Sequence, residues 1–218
     1  ASVLQEDSIF PVREVGIPIQ IKNTNQPEKR GTMIRETAAD GAREHLITGI
    51  AGKRDFLAVH VQKAHMSSKV GIVRRALTVF EDYGVSVEHI PTGVDSFGIV
   101  VNGADVQDSI YSIVHDLQKE LKPDSINVVD RLALISVVGR NMSRRAGTSG
   151  RVFGVLGEAG INIRMITQSS QEISIILGVN NADFERAITC IYDKFVAGEM
   201  VEIPQQGEGQ PTGARRAT

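Results

Sequence analysis

The chain has 218 residues, 41% of them hydrophobic, a formal net charge of −2 and one cysteine. That balance supports a packed core and excludes wholesale disorder. It also excludes a strongly basic nucleic-acid-binding face, an intrachain disulfide and a cysteine-built metal site.

No apolar run reaches the roughly 20 residues of a membrane span, and no signal peptide opens the chain, so a cytoplasmic protein is expected. The chain starts at Ala1, with Ile9-Phe10-Pro11-Val12 and Ile17-Pro18-Ile19-Gln20-Ile21 as short apolar elements that lack upstream partners. Ile19 and Ile21 alternate with polar neighbours, as in a half-buried strand. Residues 1–35 therefore read as the tail of another domain whose amino-terminal part is missing. Asn23 to Thr32 is polar and punctuated by Pro27 and Gly31, a loop pattern. Residues 36–45 read as a linker and residues 46–54 as an isolated β-prone run, strongest at Leu46–Ile50.

A module follows over residues 55–130. Phe56–Val61 is an expected strand, Gln62–Lys69 a polar loop and Gly71–Tyr83 an amphipathic helix, with Ile72, Val73, Ala76, Val79, Phe80 and Tyr83 on one face. Gly84 ends that helix as a left-handed cap. A strand over Val85–Ile90, a turn at Pro91-Thr92-Gly93, a strand over Phe97–Val101 and a turn at Asn102-Gly103 come next. A helix marked by Ile110, Ile113, Val114, Leu117 and Leu121, closed by Pro123, leads to a strand over Ile126–Val129.

The same pattern recurs over residues 131–203. Gly84-Val85-Ser86-Val87 matches Gly160-Ile161-Asn162-Ile163 at a separation of 76 positions. Phe56 meets Leu132, Met66-Ser67 meets Met142-Ser143, and Gly71 meets Gly147 at the same separation. The expected elements are strands Leu132–Val138, Ile161–Thr167 and Ile173–Val179, and helices Ser149–Glu158 and Ala182–Phe195. Gly154 and Gly157 are expected to permit close helix packing. A fourth strand is missing, since Val201–Ile203 is short and Pro204 follows; Leu46–Ile50 can fill the vacancy. Residues 204–218 read as a disordered tail. The fold class is α+β, two ferredoxin-like βαββαβ modules, interleaved. Helices on one sheet face only would leave the other face and the edges for pairing.

Few residues carry chemistry. The loops before the first helix of each copy, His65–Ile72 and Arg140–Gly147, have free backbone N–H groups at the positive end of a helix, which favour a carboxylate. A tight turn with surface charge explains them equally well. Glu88 would suit an ammonium group, and Asp95 and Ser96 share the choice between ligand and solvated surface. His60, His65, His89 and His115 show no metal-ligand spacing, so no metal site is expected. Cys190 reads as a small buried hydrophobe in an apolar helix. No phosphate-binding or dinucleotide fingerprint occurs.

Gly157 to Ile166 and Val138 to Met142 resemble the second ACT module of aspartate kinases. Val85 to Ser96, through Glu88-His89-Ile90-Pro91-Thr92-Gly93, resembles the first. Residues 9–34 resemble the end of the kinase domain. The resemblance implies a parent enzyme that transfers the ATP γ-phosphoryl group to aspartate, the first step towards lysine, threonine and methionine. ATP and Mg would belong to a kinase domain absent from this chain, which would bind no cofactor and have no catalytic residue of its own. It also implies feedback control: first modules of two chains pair as a homodimer, with an end-product amino acid, lysine first and threonine second, at their interface. The implied effector positions are Met66, Ser67, Val70, Gly71, Ile72, Val73, Val87, Glu88 and Thr92, with Asp95 beside them. In the second module Asn141, Asn162 and Gln168 match threonine-binding positions of some members. The family also lends the segment before the first module as a strand to the second. Lysine binders often carry Asp where Glu88 stands and Ser where Gly93 stands, so the effector stays open. A stand-alone ACT regulatory subunit without a kinase domain is the alternative.

Overall fold

The computed structural model describes residues 6–35, 46–139, 142, 146–168 and 174–197. The segment up to Glu44 forms one unit and the remainder from His45 another. In the first unit, helix α1 (Glu6–Glu14) precedes a hairpin of β1 (Ile19–Ile21) and β2 (Thr32–Ile34), which pairs Ile19 with Ile34. Ile9–Val12 is thus helical, with Pro11 inside the helix.

In the second unit, the amphipathic periods fold as helices against one antiparallel sheet. The elements in chain order are β3 (Gly49–Gln62), α2 (Ile72–Asp82), β4 (Val87–His89), β5 (Ser96–Asn102), α3 (Gly103–Val106), α4 (Ile110–Leu121) and β6 (Ser125–Val138). Then come α5 (Thr148–Glu158), β7 (Met165–Thr167), β8 (Ser174–Asn180) and α6 (Phe184–Tyr192). The six strands run in the order β4-β5-β3-β6-β8-β7.

Two strands are much longer than the sequence pattern suggests. β3 and β6 have 14 residues each and pair side by side across both modules. The carboxyl half of β3 pairs with β5, while its amino half, Gly49–Lys53, pairs only with the end of β6, Val138 to Leu134. The carboxyl half of β6 in turn pairs with β8. The fourth strand of module 2 is therefore supplied from before module 1, and the two ferredoxin-like modules interleave. Leu46 and Ile47, each 2% exposed, are buried in the core of module 2.

Each module has its own helix-side core. Val59, Val61, Ala76, Phe80, Phe97, Ile99 and Leu117 fill the first; Ile135, Val137, Val152, Leu156, Ile175 and Ile191 fill the second. Strand residues that alternate with these, Phe56, Ala58, Val100, Leu132 and Leu134, form a third buried cluster with Met165. By the two-residue period of a strand they lie on the opposite sheet face. Part of the face expected to be available for pairing is therefore buried within the chain itself.

Several local expectations need correction. Asn102-Gly103 is no hairpin turn: the Asn102 side chain accepts the Ala104 N–H at 3.4 Å and starts the short α3. The expected strands at Val85–Ile90 and Ile161–Thr167 shrink to Val87–His89 and Met165–Thr167. Helix Ala182–Phe195 divides into a 3-10 turn (Asn181–Asp183), α6 and a π-helical turn (Asp193–Ala197). A Cβ at Gly154 or Gly157 would meet nothing within 4 Å, so these glycines face open space and not a packed helix. Cys190 is only partly buried. Val201–Ile203 and the tail lie outside the described residues. Among the described residues, no helix is long and apolar enough to cross a membrane.

Candidate functional site

β3 ends at Gln62, and the chain must turn back over the sheet to start α2. Met66 (7% exposed) and Ile72 (4% exposed) anchor this loop in the core of module 1. Between them run a 3-10 turn over Met66–Ser68, then Gly71 at φ +73°. Only glycine adopts that left-handed conformation without strain from a Cβ. Gly147, at φ +81°, has the same place before α5.

Neighbouring turns hold the loop from both sides. The Asp95 carbonyl accepts the Lys63 N–H at 2.9 Å, and Asp95 Oδ1 accepts the Met66 N–H at 3.3 Å. On the other side Asp124 Oδ2 accepts the Ala64 N–H at 2.5 Å, and Lys63 Nζ donates to the Lys122 carbonyl at 2.6 Å. Asp95 thus serves its own chain's backbone. Asp124, which no motif marked, does the same.

What remains open is the start of α2. The Ile72 N–H reaches the Lys69 carbonyl at a long 3.4 Å, and the Arg75 N–H returns to the Gly71 carbonyl at 3.0 Å. Among the described residues, the N–H groups of Gly71, Val73 and Arg74 donate to no acceptor. They point out of the positive end of an 11-residue helix. A carboxylate there gains about 0.3–1 kcal/mol from the helix dipole in an exposed setting, more when a partner surface excludes water. Val70, 98% exposed, stands beside these amides. Val94, 75% exposed, projects from the turn that Asp95 ties to the same loop.

The expected site residues divide into two groups. Met66, Ser67, Val70, Gly71, Ile72 and Val73 form the loop and helix start, and Thr92 and Asp95 lie in the turn against it, Thr92 bridging to Phe97. Val87 and Glu88 are elsewhere. Val87 pairs with Val101 and packs in the core; Glu88 is the extra, exposed residue of a β-bulge, because His89 already pairs with Val100. Val100 lies opposite Ala58, whereas the loop begins after Gln62. Four strand residues separate those levels, roughly 13 Å at the usual rise. Glu88 thus stands on the sheet at the level of Ala58, away from the point where the loop leaves β3.

In module 2, Met142 is buried like Met66, and Ser149 Oγ donates to Gln168 Oε1 at 2.8 Å, joining the start of α5 to the end of β7. Asn162 follows the far end of α5, where the Ile161 N–H returns to the Leu156 carbonyl, whereas Gln168 follows the end of β7. Asn141 lies outside the described residues. A separate cleft of about 390 Å³ runs between α2 and α4, lined by Arg74, Arg75, Asp82, Tyr83, Asp116 and Lys119. Tyr83 closes its end by donating to Asp116 Oδ2 at 2.7 Å.

Comparison with known proteins bears on both modules. The ACT domain family matches residues 135–195. Aspartokinase 3 of Bacillus subtilis is 34% identical over 203 residues, 92% of this chain and 44% of that protein. The crystal structure of Clostridium acetobutylicum aspartate kinase, described as an allosteric enzyme, is 42% identical with a TM-score of 0.81, over 88% of this chain and 45% of that one. Escherichia coli aspartokinase III, in complex with lysine and aspartate, has a TM-score of 0.72 at 21% identity, over 89% of this chain and 42% of that one, a likeness of fold. The chain thus spans less than half the length of these relatives. With two interleaved ACT modules and this breadth of similarity, the chain is identified as the regulatory region of the aspartate kinase family.

Proposed function

We propose that this chain senses an end-product amino acid, lysine first, for a parent enzyme that phosphorylates L-aspartate with ATP. The observation that carries the proposal is the start of α2, where the unpaired N–H groups of Gly71, Val73 and Arg74 stand beside the exposed Val70 and Val94. The amides suit an α-carboxylate, and the two valines suit burial by a second copy of the chain. A paired arrangement also gives Glu88 a role, since its exposed carboxylate suits the ammonium group of a ligand held at such an interface. The lysine complex of a protein of the same fold supports the choice of ligand. Residues 1–35 would then be the end of the kinase domain, and ATP and Mg would bind upstream of them. Effector binding would favour one pairing of modules only by its differential affinity for the alternatives.

Calorimetric titration of the chain with lysine, threonine and methionine, with sedimentation in parallel, tests the proposal. The expected result is saturable heat with lysine and a dimer whose association tightens with it. Heat from none of the three would overturn the sensing role.

A further inference from the structure

Both long strands break at equivalent places. Asp55 in β3 and Arg131 in β6 are non-glycine residues with positive φ, +68° and +52°. They stand 76 positions apart, the separation of the repeat itself. Around them the pairing of β3 and β6 slips: Lys53 faces Leu134, Phe56 faces Leu132 and Ala58 faces Val129. Arg54-Asp55 thus bulge opposite Ala133, and Asp130-Arg131 bulge opposite Leu57. The two bulges are related by the internal symmetry of the repeat, and they lie where each strand passes from one module to the other.

The surroundings break that symmetry. Asp55 is clasped: its N–H donates to Asn181 Oδ1 at 3.2 Å, and its Oδ1 accepts from Asn181 Nδ2 at 2.7 Å. Arg54 adds an ion pair to Glu185 at 3.1 Å and stacks over the Phe184 ring at 4.8 Å. All three partners belong to the turn and helix that follow β8 in module 2. In module 1 the corresponding turn reads Asn102-Gly103-Ala104-Asp105, against Asn180-Asn181-Ala182-Asp183. Gly103 therefore stands where Asn181 stands, with no side chain to reach Arg131. A side chain there would collide with the chain, because a Cβ on Gly103 would lie 2.7 Å from the Asp55 carbonyl oxygen. Arg131 and Asp130 stay 83% and 71% exposed and pair with each other at 3.6 Å.

We infer that the two bulges form a hinge line between the modules, and that the Asp55–Asn181 clasp is the catch that restrains it. The bulges interrupt the ladder and hold strained backbone, so bending concentrates there. The clasp fixes the β3 bulge to module 2, and the unsupported β6 bulge yields. This inference does not depend on which amino acid, if any, the α2 loop binds.

The test is the distribution of distances between spin labels attached through Tyr111→Cys on α4 and Tyr192→Cys on α6, in a Cys190→Ala background of the full chain. Asn181→Gly, which copies the module 1 turn, should broaden the distribution. Amide exchange at Leu57 and Leu132 should rise about fivefold, as for loss of an ordinary hydrogen bond. The exchange pair Asp55→Asn with Asn181→Asp swaps donor and acceptor and should keep the parent's narrow distribution. If Asn181→Gly does not fold, Asn181→Asp alone takes its place, since it sets two carboxylates against each other and should broaden the distribution likewise. A distribution unchanged by the single substitution, or a double variant as broad as the single, overturns the inference.

Discussion

Asp124 accepts the Ala64 N–H at 2.5 Å, so the turn after α4 holds the loop in front of α2. The Asp124 N–H also donates to the Gln62 carbonyl at 2.9 Å, which closes a two-way tie. Asp124→Ala should release the loop at a cost of about 1–2 kcal/mol, the lower range for a hydrogen bond to a charged acceptor at an exposed site. Asp124→Asn keeps an acceptor oxygen and should cost less. Amide exchange over residues 64–73, read without effector, checks this. Equal exchange in Asp124→Ala and the parent would show that the tie does not order the loop.

Gly71 gives a second, separable prediction. A Cβ at this position would meet only Arg74 Nε, at 3.9 Å, so space is not the obstacle. The obstacle is the φ of +73°. Gly71→Ala should therefore destabilise by about 1 kcal/mol through backbone strain, and Gly71→Asn by less, because Asn tolerates the left-handed region. Denaturant midpoints for both variants check the order. An alanine variant as stable as the parent would mean that α2 starts in another conformation.

The helices were the most legible part of this chain, and the long strands the least. α2 and α4 are readable because Ile72, Ala76, Val79 and Phe80, and then Ile113, Leu117 and Leu121, recur at helical spacing and are all buried. β3 and β6 read as separate short runs because Arg54-Asp55 and Asp130-Arg131 interrupt each apolar alternation. Those charged pairs sit at bulges, where the ladder slips, Asp130 and Arg131 stay exposed and Arg54 turns onto Phe184, so the strand continues through them. The loop before α2 is legible from Gly71 and Met66, whereas the grip of Asp124 is not. That contact joins residues 60 positions apart, and no local pattern encodes it. The bulge at Glu88 was hidden for the same reason: register belongs to the pair of strands, not to either one.

Interleaving makes module 2 depend on residues that precede module 1. Ile47 is 2% exposed among Ile135, Val137 and Phe195 in the core cluster of module 2. Ile47→Ala should cost about 2–5 kcal/mol, the usual range for emptying such a site. The loss should fall unequally, with exchange rising in β8 and α6 more than in α2 and α4. A uniform rise would mean that the modules open together. A cost under about 0.5 kcal/mol, normal for a surface substitution, would remove this segment from the core.

His60 supplies a pH dependence whose sign can be worked out. It lies on the sheet face away from the helices, between the inward-facing Val59 and Val61, with its ring against Gly98 beside Pro91. Burial lowers its pKa below the usual 6.5, and the nearby Arg164 guanidinium lowers it further. Arg164 is itself oriented by donating to Asn180 Oδ1 at 3.3 Å. Because the folded chain resists protonation more than the unfolded one, the His60 contribution is fully present above pH 6.5 and is lost as pH falls through the lower folded value. Melting temperatures measured between about pH 7.5 and about pH 5 should therefore fall more steeply for the parent than for His60→Asn, which cannot titrate in this range. Arg164→Gln should flatten the parent's slope only in part, since burial is the larger cause and remains. Identical slopes for the parent and His60→Asn would show that His60 is solvated as freely in the folded chain as in the unfolded one.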